Sequence, residues 1–239
     1  MELADPSERT AMFCISTRGC LQTLKLLLKD FSTKEKWQLL SKQDSLGQTP
    51  LFDVASDVYS DTMKTLLGDL TLEQQRKLIY LQDRCGQTLF HSACVKGISL
   101  NMVMSSLRGT VNHKILAKLL LILDNKQRAG FHIAPKNQCS ELMLWCKDNL
   151  HSELLLKLLK LQDSEGRTLF HIVSTKDQAD FIASFFDNLS STFDPNTVVE
   201  FLSIQDNNQR TALHIAAAAG SSELMLWCKD NLHSELLLK

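Results

Sequence analysis

The stretch "DRCGQTLFH" at residues 83–91 sets an aspartate at its start, a glycine three positions later and a threonine five positions later. Related stretches occur five more times in the chain. They are "DPSERTAMF" from Asp5, "DSLGQTPLF" from Asp44, "DNKQRAGFH" from Asp124, "DSEGRTLFH" from Asp163 and "DNNQRTALH" from Asp206. The steps between the aspartates are 39, 39, 41, 39 and 43 residues. Self-similarity at a nearly fixed period predicts a repeat architecture.

Each repeat continues in the same order after its motif. A short stretch of small and apolar residues follows, such as "TALHIAAAA" at 211–219, and then a second stretch with helical periodicity, such as "LQTLKLLLKD" at 21–30. Apolar residues at helical spacing indicate amphipathic helices. We therefore expect a helix pair in all six repeats.

The motif resembles the ankyrin repeat, whose pattern Asp-x-x-Gly-x-Thr-x-Leu-x-x-Ala is nearly complete in "DSLGQTPLFDVA" and "DRCGQTLFHSA". The resemblance implies an all-α solenoid of stacked helix pairs, with residues 1–239 forming a single domain. It also implies a concave binding face made of turn tips and the exposed side of the first helices. The expected repeats are about 5–43, 44–82, 83–123, 124–162, 163–205 and 206–239.

The family pattern assigns roles to the turn residues. Glycines at the fourth turn position are expected to adopt positive φ, which costs glycine no steric energy; they are Gly47, Gly86 and Gly166. Threonines are expected to cap the first helix with a side-chain oxygen; they are Thr10, Thr49, Thr88, Thr168 and Thr211. The resemblance further implies that histidines three residues later hydrogen-bond the backbone of their own or the next repeat; they are His91, His132, His171 and His214.

Several repeats depart from this pattern. Phe13 and Phe52 occupy the histidine position in the first two repeats. The turn glycine is replaced by Glu8, Gln127 and Gln209, and we expect looser or differently shaped turns there. In the fourth repeat Ala129 replaces the threonine and Pro135 lies inside the first helix. Because proline removes a donor and clashes with the preceding turn, we expect a shortened or kinked helix.

The period exceeds the 33 residues usual in the family, and the additional residues lie between the second helix and the next aspartate. Ser32 with Glu35, and Thr71 with Gln74, match capping boxes, while Asp194 precedes a first-turn proline. We expect a short third helix in each insertion, with an ordered loop held by apolar anchors as the alternative. The residues expected to cover the stack are Trp37, Leu40, Leu78, Leu119, Leu155 and Leu202.

Composition limits the environment and the partners. The formal net charge of −1 lacks the basic field that non-specific nucleic-acid binding requires. The longest apolar run, "ILAKLLLIL" at 115–123, is about half of the roughly 20 residues that cross a bilayer. Seven cysteines at irregular spacing fit a reducing compartment. We therefore expect a cytoplasmic protein that binds neither nucleic acid nor membrane.

Catalytic and metal-binding motifs are weak or missing. Cys85, His91 and Cys94 could be metal ligands, but no second Cys/His pair has structural-zinc spacing, so the sequence does not favour a metal site there. Cys146 and Cys228 are interpreted as small core hydrophobes. No glycine-rich phosphate loop, Gly-x-Ser-x-Gly or His-Glu-x-x-His is present. The sequence predicts a protein that is not an enzyme and has no cofactor.

One row of polar residues is the candidate partner-binding site. The position before the turn threonine holds Arg9, Gln48, Gln87, Arg128, Arg167 and Arg210. Equivalent positions align along one edge of a solenoid, and forked donors suit acidic or hydrogen-bonding partners. The alternative is a merely solvated polar edge. We expect joint replacement of Arg128, Arg167 and Arg210 by alanine to weaken partner binding and to leave stability nearly unchanged.

The stretch "SELMLWCKDNLHSELLLK" occurs at 140–157 and again at 222–239. The second copy lacks the "LLKLQD" that follows the first, so an uncapped apolar end is expected to self-associate through Leu236, Leu237 and Leu238. Two function classes remain. The preferred one is a scaffold that binds a partner protein, and the alternative is a targeting module of a larger multidomain enzyme or host-directed effector that continues beyond residue 239.

Overall fold

The structure is a computed structural model that describes residues 4–18, 20–54, 59–107, 109, 111–134, 144–174 and 179–232. Over these residues the regular elements are helices, joined by turns. The chain forms two compact halves, Met1–Asn125 and Lys126–Lys239. The boundary falls in the turn that opens the fourth repeat. The prediction of a single domain over 1–239 stays a prediction.

The N-terminal half contains three repeats. The first has α1 (Ala11–Arg18), α2 (Leu21–Leu28) and α3 (Thr33–Leu40); the second has a 3₁₀ turn (Pro50–Asp53), α4 (Tyr59–Leu67) and α5 (Leu72–Tyr80); the third has α6 (Leu89–Lys96), α7 (Leu100–Ser106) and α8 (His113–Leu120). First elements pack on first elements of the neighbouring repeat, and second helices pack on second helices. This is the packing of a repeat solenoid.

The C-terminal half repeats this order. Its elements are α9 (Gly130–Ile133), α10 (144–149), α11 (Ser152–Leu159), α12 (Leu169–Val173), α13 (Ala179–Ser190), α14 (Pro195–Ser203), α15 (Ala212–Ala219) and α16 (Glu223–Asn231). Helix α12 packs between α9 and α15, while α13 packs against α16. The predicted all-α repeat fold is confirmed.

The predicted third helix is confirmed in five repeats, as α3, α5, α8, α11 and α14. Helices α3 and α5 begin at the predicted capping boxes, in which Ser32 N–H donates to Glu35 at 2.8 Å and Thr71 N–H donates to Gln74 at 3.0 Å. Asp194 accepts the backbone N–H groups of α14 at 3.0 and 3.1 Å. The five predicted leucines lie within these helices and are buried, while Trp37 is half-buried.

Two first helices are shortened. Helix α9 has four residues and ends at Ile133, which confirms the prediction for the fourth repeat, although Pro135 itself lies outside the described residues. In the second repeat the expected helix is wrong, because a four-residue 3₁₀ turn takes its place. The Phe52 carbonyl, which would continue a helix, instead accepts hydrogen bonds from Ser92 Oγ at 2.9 Å and from the Lys96 ammonium.

The cores differ between the halves. In the N-terminal half the fully buried large side chains include Met12, Phe13, Leu24 and Leu66. The C-terminal half contains an aromatic cluster around Phe170, which contacts Phe185 and Phe201 at centroid distances of 5.9 and 5.2 Å. Phe186 extends the cluster to Trp227 at 5.0 Å. Each half therefore has its own apolar core beneath its turns.

Candidate interaction surface

The turn that opens each repeat is built around its aspartate. One carboxylate oxygen accepts the backbone N–H groups two and four residues later at 2.8–3.0 Å, in the turns of Asp5, Asp44, Asp83, Asp163 and Asp206. The aspartate N–H donates to the carbonyl four residues later in the same five turns. Local side-chain bonds of this kind fix a turn independently of helix or sheet.

The fourth turn residue has positive φ whether or not it is glycine. Gly47, Gly86 and Gly166 lie at 76–77°, while Glu8, Gln127 and Gln209 lie at 57–62°. The expectation of differently shaped turns at the last three is therefore wrong. In the turns of Glu8 and Gln209 the aspartate bonds hold the left-handed conformation, which costs a residue with a Cβ about 1–2 kcal/mol. A Cβ on Gly86 would lie 2.9 Å from the Asn125 backbone nitrogen, so close approach of the next turn explains glycine there.

Consecutive turns are joined tip to tip. The N–H of the second turn residue donates to the carbonyl of the third residue in the preceding turn, at 2.8–2.9 Å. Within the halves these bonds run from Ser45 to Ser7, Arg84 to Leu46, Asn125 to Cys85, Ser164 to Lys126 and Asn207 to Glu165. The side-chain amides of Asn125 and Asn207 also donate to the preceding turn, to the carbonyls of Arg84 at 2.9 Å and Ser164 at 3.0 Å. The tips in each half therefore form one continuous hydrogen-bonded edge.

A glutamine ladder runs beneath this edge, and the sequence analysis missed it. The side-chain amide of Gln82 donates to the Gly86 carbonyl of its own turn at 2.6 Å and to the Leu123 carbonyl of the next repeat at 3.4 Å. Gln43 and Gln162 make the corresponding pairs of bonds. The available signal was the "QD" pair before four of the motifs, at Gln43, Gln82, Gln162 and Gln205.

The histidines hydrogen-bond the backbone as the resemblance implied. The expectation that threonine side-chain oxygens cap the first helices is partly wrong. The N–H of Thr168 donates to His171 Nδ1 at 3.1 Å, and its hydroxyl lies 2.9 Å from the same nitrogen. Since Nδ1 accepts, Nε2 carries the proton and donates to the Arg210 carbonyl at 2.9 Å. Where phenylalanine replaces histidine, the hydroxyls of Thr10 and Thr49 are buried without a hydrogen-bond partner.

The fourth repeat keeps this histidine arrangement without a threonine. His132 Nδ1 accepts the Ala129 N–H at 3.2 Å, and Nε2 lies 3.1 Å from the Leu161 carbonyl. Burial lowers the pKa of His132, and its hydrogen bonds and the nearby Asp163 charge oppose that shift in part. His132 is therefore a neutral structural residue that links two repeats.

The predicted arginine and glutamine row lies at equivalent turn positions, and several members are held by turn aspartates. Arg167 Nε and Nη2 donate to Asp163 Oδ2 at 3.0 and 2.8 Å, and Arg210 makes the same pair of bonds to Asp206. Burial alone would raise the pKa of Asp163, but hydrogen bonds from Arg167 and the backbone outweigh it and hold that pKa below its ordinary value.

In the N-terminal half the row instead bridges neighbouring turns. Gln48 Nε2 donates to Asp83 Oδ2 at 3.1 Å, and the Arg9 guanidinium pairs with Asp53 and lies 5.1 Å from the Phe13 ring centroid. Gln87 and Arg128 are half-buried. The side chain of Arg167 is 36% exposed and that of Arg210 is 46% exposed. Because Arg167 and Arg210 satisfy buried carboxylates, we expect their removal to lower stability, in contrast to the expectation from sequence.

The C-terminal half has a second row that the sequence analysis missed. The residue five positions after each arginine is isoleucine, giving the pairs Arg128 with Ile133, Arg167 with Ile172 and Arg210 with Ile215. All three isoleucines are half-buried. In the N-terminal half the corresponding positions hold Cys14, Asp53 and Ser92. The signal was the residue after the histidine in "FHI", "FHI" and "LHI".

The duplicated stretch is described at 144–157 and 222–232. Trp145 and Trp227 are 8% and 6% exposed, and Cys146 and Cys228 are both buried, as predicted for core residues. Burial raises the pKa of the Cys228 thiol to about 12. Leu226 is 54% exposed against 39% for Leu144. The leucines at 236–238, expected to drive self-association, lie outside the described residues.

The described residues contain no group of three or more metal-ligating side chains. Of the suggested metal ligands, His91 Nδ1 lies 2.9 Å from the Thr88 hydroxyl and Cys94 is buried, while Cys85 is exposed. Among the helices of the described residues, none is both long and apolar enough to cross a membrane.

The sequence matches no protein-family model, and no curated protein is similar to it. Solved structures do resemble it. EF0377, an ankyrin repeat protein, aligns over 92% of this chain and 96% of its own with a TM-score of 0.65 and 15% identity. A chain from the complex of the predatory endopeptidase Bd0816 of Bdellovibrio bacteriovorus with immunity protein Bd3460 aligns over 95% and 99%, with a TM-score of 0.59 and 17% identity. The chain therefore has the ankyrin-repeat fold.

Proposed function

We propose that this chain is a non-enzymatic scaffold that binds a partner protein along its turn tips and the exposed side of its first helices. The observation that carries the proposal is that the hydrogen-bonded framework of the turns is constant while the residues at the turn tips vary. The aspartate bonds and the tip-to-tip bonds recur from turn to turn, while the third residue of each turn differs. These exposed residues are Ser7, Leu46, Cys85, Lys126, Glu165 and Asn208.

In this proposal the backbone of the turns holds the edge in place, and the side chains at the turn tips select the partner. A backbone fixed by five hydrogen-bonded turns pre-organises the edge, which lowers the ordering cost of binding. Side chains that differ from tip to tip then supply specificity. Leu46 is 60% exposed and offers an apolar contact, whereas Lys126 and Glu165 offer opposite charges. One of the similar structures is itself a complex of two proteins, which is consistent with a protein partner.

The arginine and glutamine row contributes as a second layer. Arg167 and Arg210 use two donors on their turn aspartates, and Arg167 Nη1 also lies 3.2 Å from Glu165. Arg210 therefore keeps more of its guanidinium edge for a partner. In the C-terminal half the isoleucine row lies beside them. We propose that a partner segment contacts apolar and hydrogen-bonding groups together there.

Site-specific photo-crosslinking tests the proposal. A photoreactive amino acid is placed at Leu46, Glu165 or Asn208, and at the exposed second-helix positions Leu26 and Lys229 as controls. The full chain is then irradiated in an extract of its native cells, and crosslinked proteins are identified by mass spectrometry. We expect the same protein to be crosslinked from the tips and not from the controls. Equal crosslinking from both sets, or from the controls alone, would contradict the proposal.

A further inference from the structure

The inserted third helices create a surface that ordinary helix-pair repeats lack, and in the N-terminal half this surface is basic. We define the basic third-helix edge as residues 32–43, 71–82 and 111–123. Its anions are Glu35 and Glu73. Its cations are Lys34, Lys36, Lys42, Arg76, Lys77, Lys114 and Lys118. Since the whole chain has a net charge of −1, the rest of the chain is net negative.

Internal pairing accounts for only part of this charge. Lys36 pairs with Asp69, and Lys77 pairs with Glu73 at 2.8 Å. Glu35 is occupied by its capping bonds to Ser32, which lower its pKa. The exposed lysines without a hydrogen-bond or ion-pair partner among the described residues are Lys34, Lys42, Lys114 and Lys118. They lie at both ends of the edge, on or next to α3 and α8.

Contacts between repeats place the three helices side by side. The Thr33 hydroxyl at the start of α3 donates to the Asp69 carbonyl just before α5 at 3.2 Å. The Tyr80 hydroxyl at the end of α5 donates to the Ile115 carbonyl of α8 at 3.2 Å. Neighbouring helix axes pack about 8–10 Å apart, so α3 and α8 are separated by roughly 20 Å. The four unpaired lysines therefore lie in two pairs, one on or next to α3 and one on α8, with α5 between them.

From this geometry we infer that the basic third-helix edge is a second binding site, for a short acidic segment of a partner protein. An extended chain advances about 3.3 Å per residue, so six to eight residues reach from the lysines of α3 to those of α8. A longer polyanion or a membrane surface would extend onto the net-negative remainder of the chain, where repulsion opposes binding. Half-buried Trp37 and the exposed Leu72 border the lysines and provide apolar contact for such a segment.

The C-terminal half provides an internal comparison. Its third-helix segments, 150–162 and 193–205, contain Lys157 and Lys160 against Glu153, Asp194 and Glu200. Lys160 pairs with Glu200 at 3.0 Å. The same insertion therefore occurs there without a basic excess. The charge belongs to the N-terminal half and does not follow from having a third helix.

Fluorescence anisotropy with the full chain tests the site. The probe is a fluorescein-labelled alternating glutamate–serine peptide of about eight residues. We expect binding that weakens as salt rises from about 50 to 200 mM, since exposed charges are screened, and no binding of the matching glutamine–serine peptide. Together Lys34→Gln, Lys42→Gln, Lys114→Gln and Lys118→Gln should weaken binding about tenfold or more.

A charge-matched control isolates the position of the lysines. Lys25→Gln, Lys29→Gln, Lys157→Gln and Lys229→Gln remove the same charge from exposed positions elsewhere, and binding should change less than about threefold. Equal weakening in the two variants, or no peptide binding at low salt, would overturn the inference. So would tighter binding of single-stranded oligothymidylate or of phosphatidylserine vesicles. The patch contains no turn tip, so its failure would leave the crosslinking result for the proposed function unaffected.

Discussion

Asp163 and Asp206 make contacts through both carboxylate oxygens, and this gives Arg167 and Arg210 their main structural task. One oxygen of Asp163 holds two backbone N–H groups, and the other accepts Arg167. The Asp163 side chain is buried, so its second oxygen depends on that guanidinium. An unpaired buried acceptor costs about 1–3 kcal/mol.

Arg167→Ala should therefore lower the free energy of unfolding by about 1–3 kcal/mol, as measured by urea denaturation followed by circular dichroism. Arg84→Ala is the matched control, because Arg84 is exposed on a turn and makes no side-chain bond among those described. Its effect should stay within about 0.5 kcal/mol. Equal effects of the two substitutions would show that the carboxylate does not need Arg167.

His132 should make stability depend on pH near neutrality. Burial lowers its pKa in the folded chain below the ordinary 6.5, so the unfolded chain binds the proton more tightly. Its contribution to stability is complete above pH 6.5 and is lost as pH falls through 6.5 toward the folded-state pKa. Urea midpoints measured from about pH 7.5 to 5.5 should fall more steeply for the wild type than for His132→Gln.

The same titration separates this histidine from other groups. Asp163 and Asp206 have pKa values held below 3.8, so the stability they contribute is lost only at lower pH. If His132→Gln kept the wild-type slope, His132 would not be the group that senses acid.

At the scale of elements, the sequence predicted what local chemistry determines. The third helices followed from short-range signals, because Ser32 with Glu35 and Asp194 with Pro195 satisfy helix ends within four residues. The short α9 was predicted from the proline at position 135. In each case the signal is visible in letters close to the element concerned.

Elements and contacts decided by neighbouring repeats could not be predicted this way. The 3₁₀ turn at Pro50–Asp53 ends where Ser92 and Lys96, about 40 residues away, take the Phe52 carbonyl. The arginine row was located correctly, but its pairing with Asp163 and Asp206 depends on side-chain directions within the folded turn. Positive φ at Glu8 and Gln209 likewise depends on a carboxylate frame that outweighs residue preference.

At the scale of the molecule, stability in a stack of repeats is roughly the sum of repeat and neighbour-interface contributions. The chain forms two compact halves, each with its own core. The prediction that residues 1–239 act as one domain then has a thermodynamic meaning. If the chain is one domain, a change in the core of one half alters the unfolding of the other half. This requires that the interfaces between repeats make unfolding cooperative.

The three tryptophans allow a direct measurement. Trp37 lies in the N-terminal half, whereas Trp145 and Trp227 lie in the C-terminal half, so Trp37→Phe leaves fluorescence that reports the C-terminal half. In that background Leu66→Ala removes a fully buried side chain from the N-terminal half and should cost about 2–5 kcal/mol. If the chain is one domain, the urea midpoint of tryptophan fluorescence falls together with the midpoint from circular dichroism. An unchanged fluorescence midpoint would show two independent folding units. Leu26→Ala, at a side chain 73% exposed, should move neither midpoint, because little apolar surface is lost there.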